Sequence, residues 1–300
     1  SLVLGNGSLV TGGTFSTASG GQVAVTSGHT ARIAGVTSTG TLNVHNNAVL
    51  ELGGTLTNNG AVNLQSVGNV TDLRAVGSQS ILGNGTITLS NTTANRILGA
   101  SGGDSLTLGA GQTLQGAGQI GAGSNFNVTN HGTMRGHVSS ALTFSSTGTV
   151  LNTGLVRADG GNVVVTGGTA FGQGGAGVLG AINGGIVTIN GNAVVSGGTL
   201  ATADTGLITT SGGQTATLAN LTNAGTFNVA NSSDLRLQGT ITNTGTLNLR
   251  SAGNLTDLVM SGPVTLAGGG VTDLSSTTAN RIVALAPGAQ LTVGVGQTLR

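Results

Sequence analysis

The sequence predicts an all-β chain wound as a parallel β-helix, a solenoid of short stacked coils. Three observations carry that expectation. A Gly- and Asn-punctuated motif returns about every 20 residues, apolar residues alternate with polar ones, and no stretch repeats at helical spacing.

The motif comes first. VTSTG ends at Gly40, LTNNG at Gly60, VTNHG at Gly132, LNTG at Gly154, LTNAG at Gly225 and ITNTG at Gly245. Each Gly is followed by a short run such as TLNV, AVNL, TFNV or TLNL. The spacings between neighbouring instances are 60 − 40 = 20, 245 − 225 = 20 and 154 − 132 = 22. One such beat is one coil, whose strands stack on the next at about 4.8 Å. At that period the 300 residues hold about 15 coils, roughly 70 Å of rod. Asn58, Asn130, Asn152, Asn223 and Asn243, with Gly60, Gly132, Gly154, Gly225 and Gly245, read as turn residues between the strands. Gly supplies positive φ there, and Asn tolerates it while bonding local backbone. Stacked Asn side chains also bond to each other from coil to coil.

A longer period overlies the coil. The segment from Thr41 to Leu73 returns from Thr226 to Leu258, an offset of 226 − 41 = 185. The same offset maps TTANRI at 92–97 onto 277–282 and GxGQTL at 109–114 onto 294–299, with no gap. Residues 1–115 thus return as 186–300, and 116–185 occur once. The expectation is a single solenoid over 1–300 with no domain boundary, a slice of a longer tandem array.

Comparing the copies reveals the inner face. Leu42, Val44, Leu50, Leu52, Leu56, Val62 and Leu64 become Phe227, Val229, Leu235, Leu237, Ile241, Leu247 and Leu249. Their neighbours vary freely: His45 becomes Ala230, Val49 becomes Asp234, Glu51 becomes Arg236 and Gln65 becomes Arg250. Period-two alternation with a stable apolar set marks strands with one buried face.

Composition agrees. Charged residues are 6% of the chain, against roughly 25% in an ordinary soluble domain, yet 37% hydrophobic residues suffice for a core. No apolar run approaches the ~18 residues of a membrane helix, so no membrane span is expected in this segment. The net charge is +1 and the nine cations, all Arg, are scattered, which excludes nucleic acid as a partner. The absence of Cys excludes a disulfide scaffold and a thiolate metal site, and suits export.

The repeated [VLI]-T-N-x-G-[TAL]-[LVF] unit, the ~20-residue beat and the lack of Cys resemble the haemagglutinin-like repeats of two-partner-secretion exoproteins. They equally resemble autotransporter passenger domains. The resemblance covers nearly the whole chain and implies a right-handed parallel β-helix. It also implies export through outer-membrane secretion machinery to the surface of a Gram-negative-type bacterium, and a role in adhesion, aggregation or matrix. These families share no catalytic motif to carry over.

Chemistry-bearing residues are few against that background. β-helix enzymes acting on polysaccharides gather several carboxylates in one groove. Here Glu51, Asp72, Asp104, Asp159, Asp204, Asp234, Asp257 and Asp273 stand almost alone, and Glu51 becomes Arg236 while Asp104 becomes Ala289 in the second copy. His131 and His137 leave a zinc site incomplete, and His29 and His45 become Gln214 and Ala230. GGDSLTLG at 102–109 is the nearest approach to a calcium-binding nonapeptide. The Thr-rich strands lack the regular T-x-T row that ice binding needs. No catalytic residue, cofactor or metal site is therefore expected.

One polar constellation is retained in both copies. Asp72 and Arg96 return as Asp257 and Arg281, and the spacing within each pair (96 − 72 = 24; 281 − 257 = 24) is close to one coil. Their expected role is a ladder ion pair that fixes coil register; the alternative is a repeated contact point for a neighbouring rod or ligand. The expected function is a secreted structural or adhesive rod that self-associates, laterally or end to end, or meets a host or neighbour-cell receptor. A self-assembling filament or sheath subunit and a glycan-acting enzyme are the alternatives.

Overall fold

The computed structural model describes all 300 residues, which form strands, turns and bends but no helix. The strands are parallel and stack as a β-solenoid of about 13 turns, each about 23 residues long. The chain divides into two compact units, Ser1–Leu155 and Val156–Arg300.

In the first unit each coil contributes one strand to each of three ladders. Thr41–His45, Ala61–Gln65, Thr86–Leu89 and Thr113–Gly116 belong to the first ladder. Val49–Leu52, Thr71–Ala75 and Asn95–Gly99 belong to the second. Leu56–Asn58, Ser78–Leu82 and Ser105–Leu108 belong to the third. Every pairing is parallel and in register, as Leu42 on Val62 and Val62 on Ile87. The second unit is built the same way, but three of its strands, Thr215–Asn223, Asp234–Asn243 and Thr256–Ala267, run on through a corner. Asn220 and Gly239 turn two of those corners with positive φ.

Coil length varies with the corners. Thr30 pairs with Val49 (49 − 30 = 19), whereas Asp72 pairs with Arg96 (96 − 72 = 24). The extra residues form loops at 66–70 and 90–94. The T-N-x-G spacing of about 20 samples only compact coils, which is why about 13 turns compare with the 15 expected.

The inner rows are those the alternation marks. All fourteen apolar positions compared between the copies are at most 2% exposed, from Leu42 to Leu64 and from Phe227 to Leu249. Each such Leu, Val or Ile contributes about 1.5–3 kcal/mol on burial. One inner row breaks the pattern. Thr272 stacks on Leu247 at 0% exposure, where the first copy has Ile87.

Of the expected turn residues, Gly60, Gly132, Gly154, Gly225 and Gly245 do lie in bends between strands, but the asparagines require a correction. Asn58, Asn130, Asn152, Asn223 and Asn243 are the last residues of strands, at most 2% exposed, and none has positive φ. Nor do Gly60, Gly132, Gly154, Gly225 and Gly245 have positive φ. Glycine is required there by close approach. A Cβ on Gly60 or Gly245 would lie 2.1 Å from the carbonyl oxygen of Gly40 or Gly225, and one on Gly154 2.2 Å from that of Gly132. Positive φ falls to other residues, Asn47 and Asn183 among them.

Candidate functional site

Strand pairing places Asp72 opposite Arg96. Arg96 donates from Nε to Oδ1 and from Nη2 to Oδ2, both at 2.7 Å. Arg74, on the same outer face of the Asp72 strand, donates to Oδ2 from Nε at 2.9 Å and from Nη2 at 2.6 Å. The two guanidiniums close over the carboxylate, and Asp72 is 0% exposed. Such two-point charge-assisted bonds hold geometry as well as charge. Glu51 lies in register with Arg74 and accepts two bonds from Arg32, at 3.0 and 2.7 Å.

The second unit repeats the fork. Asp257 stands opposite Arg281, which donates from Nε at 2.8 Å and from Nη2 at 2.6 Å. The surroundings differ, because Val259 occupies the place of Arg74 and Asp234 lies in register with Asp257. The hydrogen bonds that Arg96 donates to Asp72 raise the pKa of Arg96, with partial burial opposing it. Arg281 is raised in the same way by its bond to Asp257, and further by the charges of Asp257 and Asp234.

The forks belong to a wider clamp over three coils. Asn46 Oδ1 accepts the N–H groups of Val67 and Asn69 at 2.9 and 3.2 Å. Asn231 does the same for Ala252 and Asn254 at 2.7 and 3.2 Å. Asn95 Oδ1 accepts the N–H of Ser66 at 3.3 Å, and Asn280 that of Ser251 at 3.2 Å. Ser90 Oγ donates to the Ser66 carbonyl at 2.7 Å, and Ser275 Oγ to that of Ser251 at 2.9 Å. Thr71 and Thr256 accept the N–H groups of Asn47 and Ser232, both at 3.1 Å.

The buried corner Asn residues form a second set. Asn130 Nδ2 donates to Asn152 Oδ1, and Asn223 Nδ2 to Asn243 Oδ1, both at 2.8 Å. Where a coil has Gly83 and Gly85 at this corner, Gln112 reaches across it. Its Nε2 donates to the carbonyls of Asn58 and Leu82 at 2.7 and 2.9 Å, and its Oε1 accepts from Asn58 at 3.0 Å. Gln297 makes the corresponding bonds to Asn243 and Ala267. Both span 54 residues.

Sequence reasoning paired Asp72 with Arg96 and Asp257 with Arg281, and missed Arg74, Gln112 and Gln297. Arg74 shares the outer face of Asp72 by its two-residue spacing, a signal that was available. Gln112 and Gln297 lie in the repeated GxGQTL string, which marks them as retained without showing their reach.

The remaining acids are largely engaged locally. Asp104 accepts the N–H groups of Gly77 and Ser101 at 3.0 and 2.7 Å. Asp159 accepts from Arg157 and Asn183, and Asp273 from Arg250 and Arg300. His29 and His131 bond to Thr26 and Thr153. No group of three or more His, Asp or Glu side chains is placed to hold a metal ion. No helix is long and apolar enough to cross a membrane.

The fold and these bonds define a parallel β-solenoid whose polar side chains tie coil to coil. No family model, curated protein or solved structure matches the chain.

Proposed function

We propose that the chain is part of a structural and adhesive rod, displayed on or assembled outside a Gram-negative-type bacterium after export through its outer-membrane secretion machinery. One observation carries this reading. The same set of coil-to-coil bonds recurs in both units at one constant offset (281 − 96 = 185; 280 − 95 = 185), with the same partners in each. A chain that duplicates its scaffolding in this way suits extension and display, with stability built from repeat-to-neighbour contacts. A receptor on a host or neighbouring cell, or a second rod, is the partner class that fits.

Side-by-side assembly into a filament has its own support. Formal charges are few, and acids and Arg residues pair within the chain, as in the Asp72, Glu51 and Asp273 clusters. Little repulsion then opposes lateral approach.

The test uses the intact native protein in the cells that make it. Antibody against this segment should label unbroken cells, and deleting the segment should reduce attachment or aggregation. Labelling that appears only after lysis, with attachment unchanged on deletion, would sink the proposal.

A further inference from the structure

A solenoid has a register problem that its core does not solve. The inner row Leu42, Val62, Ile87, Leu114 and Met134 is a stack of interchangeable apolar residues. A slip of two residues keeps every apolar side chain facing inward. Burial therefore drives collapse without choosing which residue meets which.

The three-coil clamps do choose. A two-residue slip would place Asp72 opposite Ala94 or Leu98 instead of Arg96, and would part Asn95 from Ser66. Asp72 is fully covered and Asp257 nearly so, and a carboxylate without its partner is costly when buried, so both pairs penalise such errors more than a pair in water would, Asp72 the more strongly. The bonds also close short loops. They join residues 21 to 29 apart in sequence, separations of about one coil. Closing them costs about what closing any coil costs, so the clamp differs from other coils in its bonds and not in its loop length. The bonding side chains are the same residue types in both units: Ser66, Thr71, Asp72, Ser90, Asn95 and Arg96 return as Ser251, Thr256, Asp257, Ser275, Asn280 and Arg281.

We propose that each clamp is a folding nucleus that sets coil register, formed by 46–47, 66–72 and 90–96 in the first unit and by 231–232, 251–257 and 275–281 in the second. Stacking starts at the clamp and spreads to the coils that lack one. This holds whatever the exported chain contacts, so it stands apart from the adhesive reading.

The 300-residue chain, refolded from denaturant and pulse-labelled with deuterium, tests it. Peptides 66–75, 90–99 and 251–260 should gain protection about threefold or more sooner than 127–136 and 186–196, whose inner rows are also buried. Arg281→Gln should slow refolding of the second unit about tenfold while changing unfolding much less. The swap Asp257→Arg with Arg281→Asp should restore the rate, because the new cation at 257 lies in register with Asp234. Asp273→Asn, at a carboxylate more open than that of Asp257 and outside the clamp, should leave refolding unchanged.

Clamp peptides that gain protection with or after the others overturn the proposal. So does an Arg281→Gln variant that unfolds faster but refolds at the original rate. Should that variant not fold, the labelling order in the unaltered chain decides.

Discussion

Arg96 grips Asp72 across one coil through two bonds of 2.7 Å, while Arg74 holds the same carboxylate from its own strand. The carboxylate has no exposure, so its stability depends on keeping at least one guanidinium.

Replacing one arginine should therefore be mild and replacing both severe. Arg74→Met or Arg96→Met should each cost about 1 kcal/mol, since the other cation stays in place. The double variant strands a buried charge and should cost about 3–5 kcal/mol, more than the two singles together. Denaturant unfolding, read by hydrogen exchange over 66–99, measures this; additive losses would contradict it.

The corner glycines should tolerate no side chain. Gly60→Ala and Gly245→Ala place a methyl 2.1 Å from a carbonyl oxygen of the preceding coil. Separating those coils should cost about 3 kcal/mol. Gly262→Ala is the control, because nothing lies within 4 Å of its added carbon. It should be neutral or stabilising by about 0.5 kcal/mol through reduced freedom of the unfolded chain. Thermal melts of the three variants check the order.

Thr272 is a flaw that can be repaired. Its hydroxyl is buried without a partner, in an inner row where the first copy carries Ile87. Thr272→Ile removes an unsatisfied polar group and adds apolar burial, and should stabilise the second unit by about 1–2 kcal/mol. A destabilised variant in urea unfolding would show that the site has no room for the larger side chain.

Alkaline stability should be flat. The chain has no Lys, Tyr or Cys, so above the range of His and the N-terminus only Arg titrates. Arg96 and Arg281 are raised above the ordinary Arg value by their Asp partners. A group raised on folding gives stability that is complete below its unfolded pKa and lost only as pH passes its folded one. Melting temperatures should stay constant from about pH 9 to about pH 12. A stepwise loss inside that window would contradict the assignment.

Much of this was legible in the sequence, for identifiable reasons. Alternation exposed the inner rows because a strand buried on one face has no other way to place Leu42 and Val44. The Asp72–Arg96 pair was legible because both members and their spacing return together. The corner Asn residues were misplaced because a polar residue beside Gly reads as an exposed turn. In fact Asn58 and Asn243 face inward, satisfied by Gln112 and Gln297. The reach of those Gln residues depends on what fills the coil they cross, which no local pattern encodes. Coil length was underestimated because the clearest motif marks coils without corner loops.

Electron microscopy of native material carrying this chain tests the central claim most directly. Rods, single or bundled, at or beyond the cell surface and longer by about 4.8 Å for each coil, are the result expected of a displayed solenoid. Compact particles confined to the cell interior would contradict it.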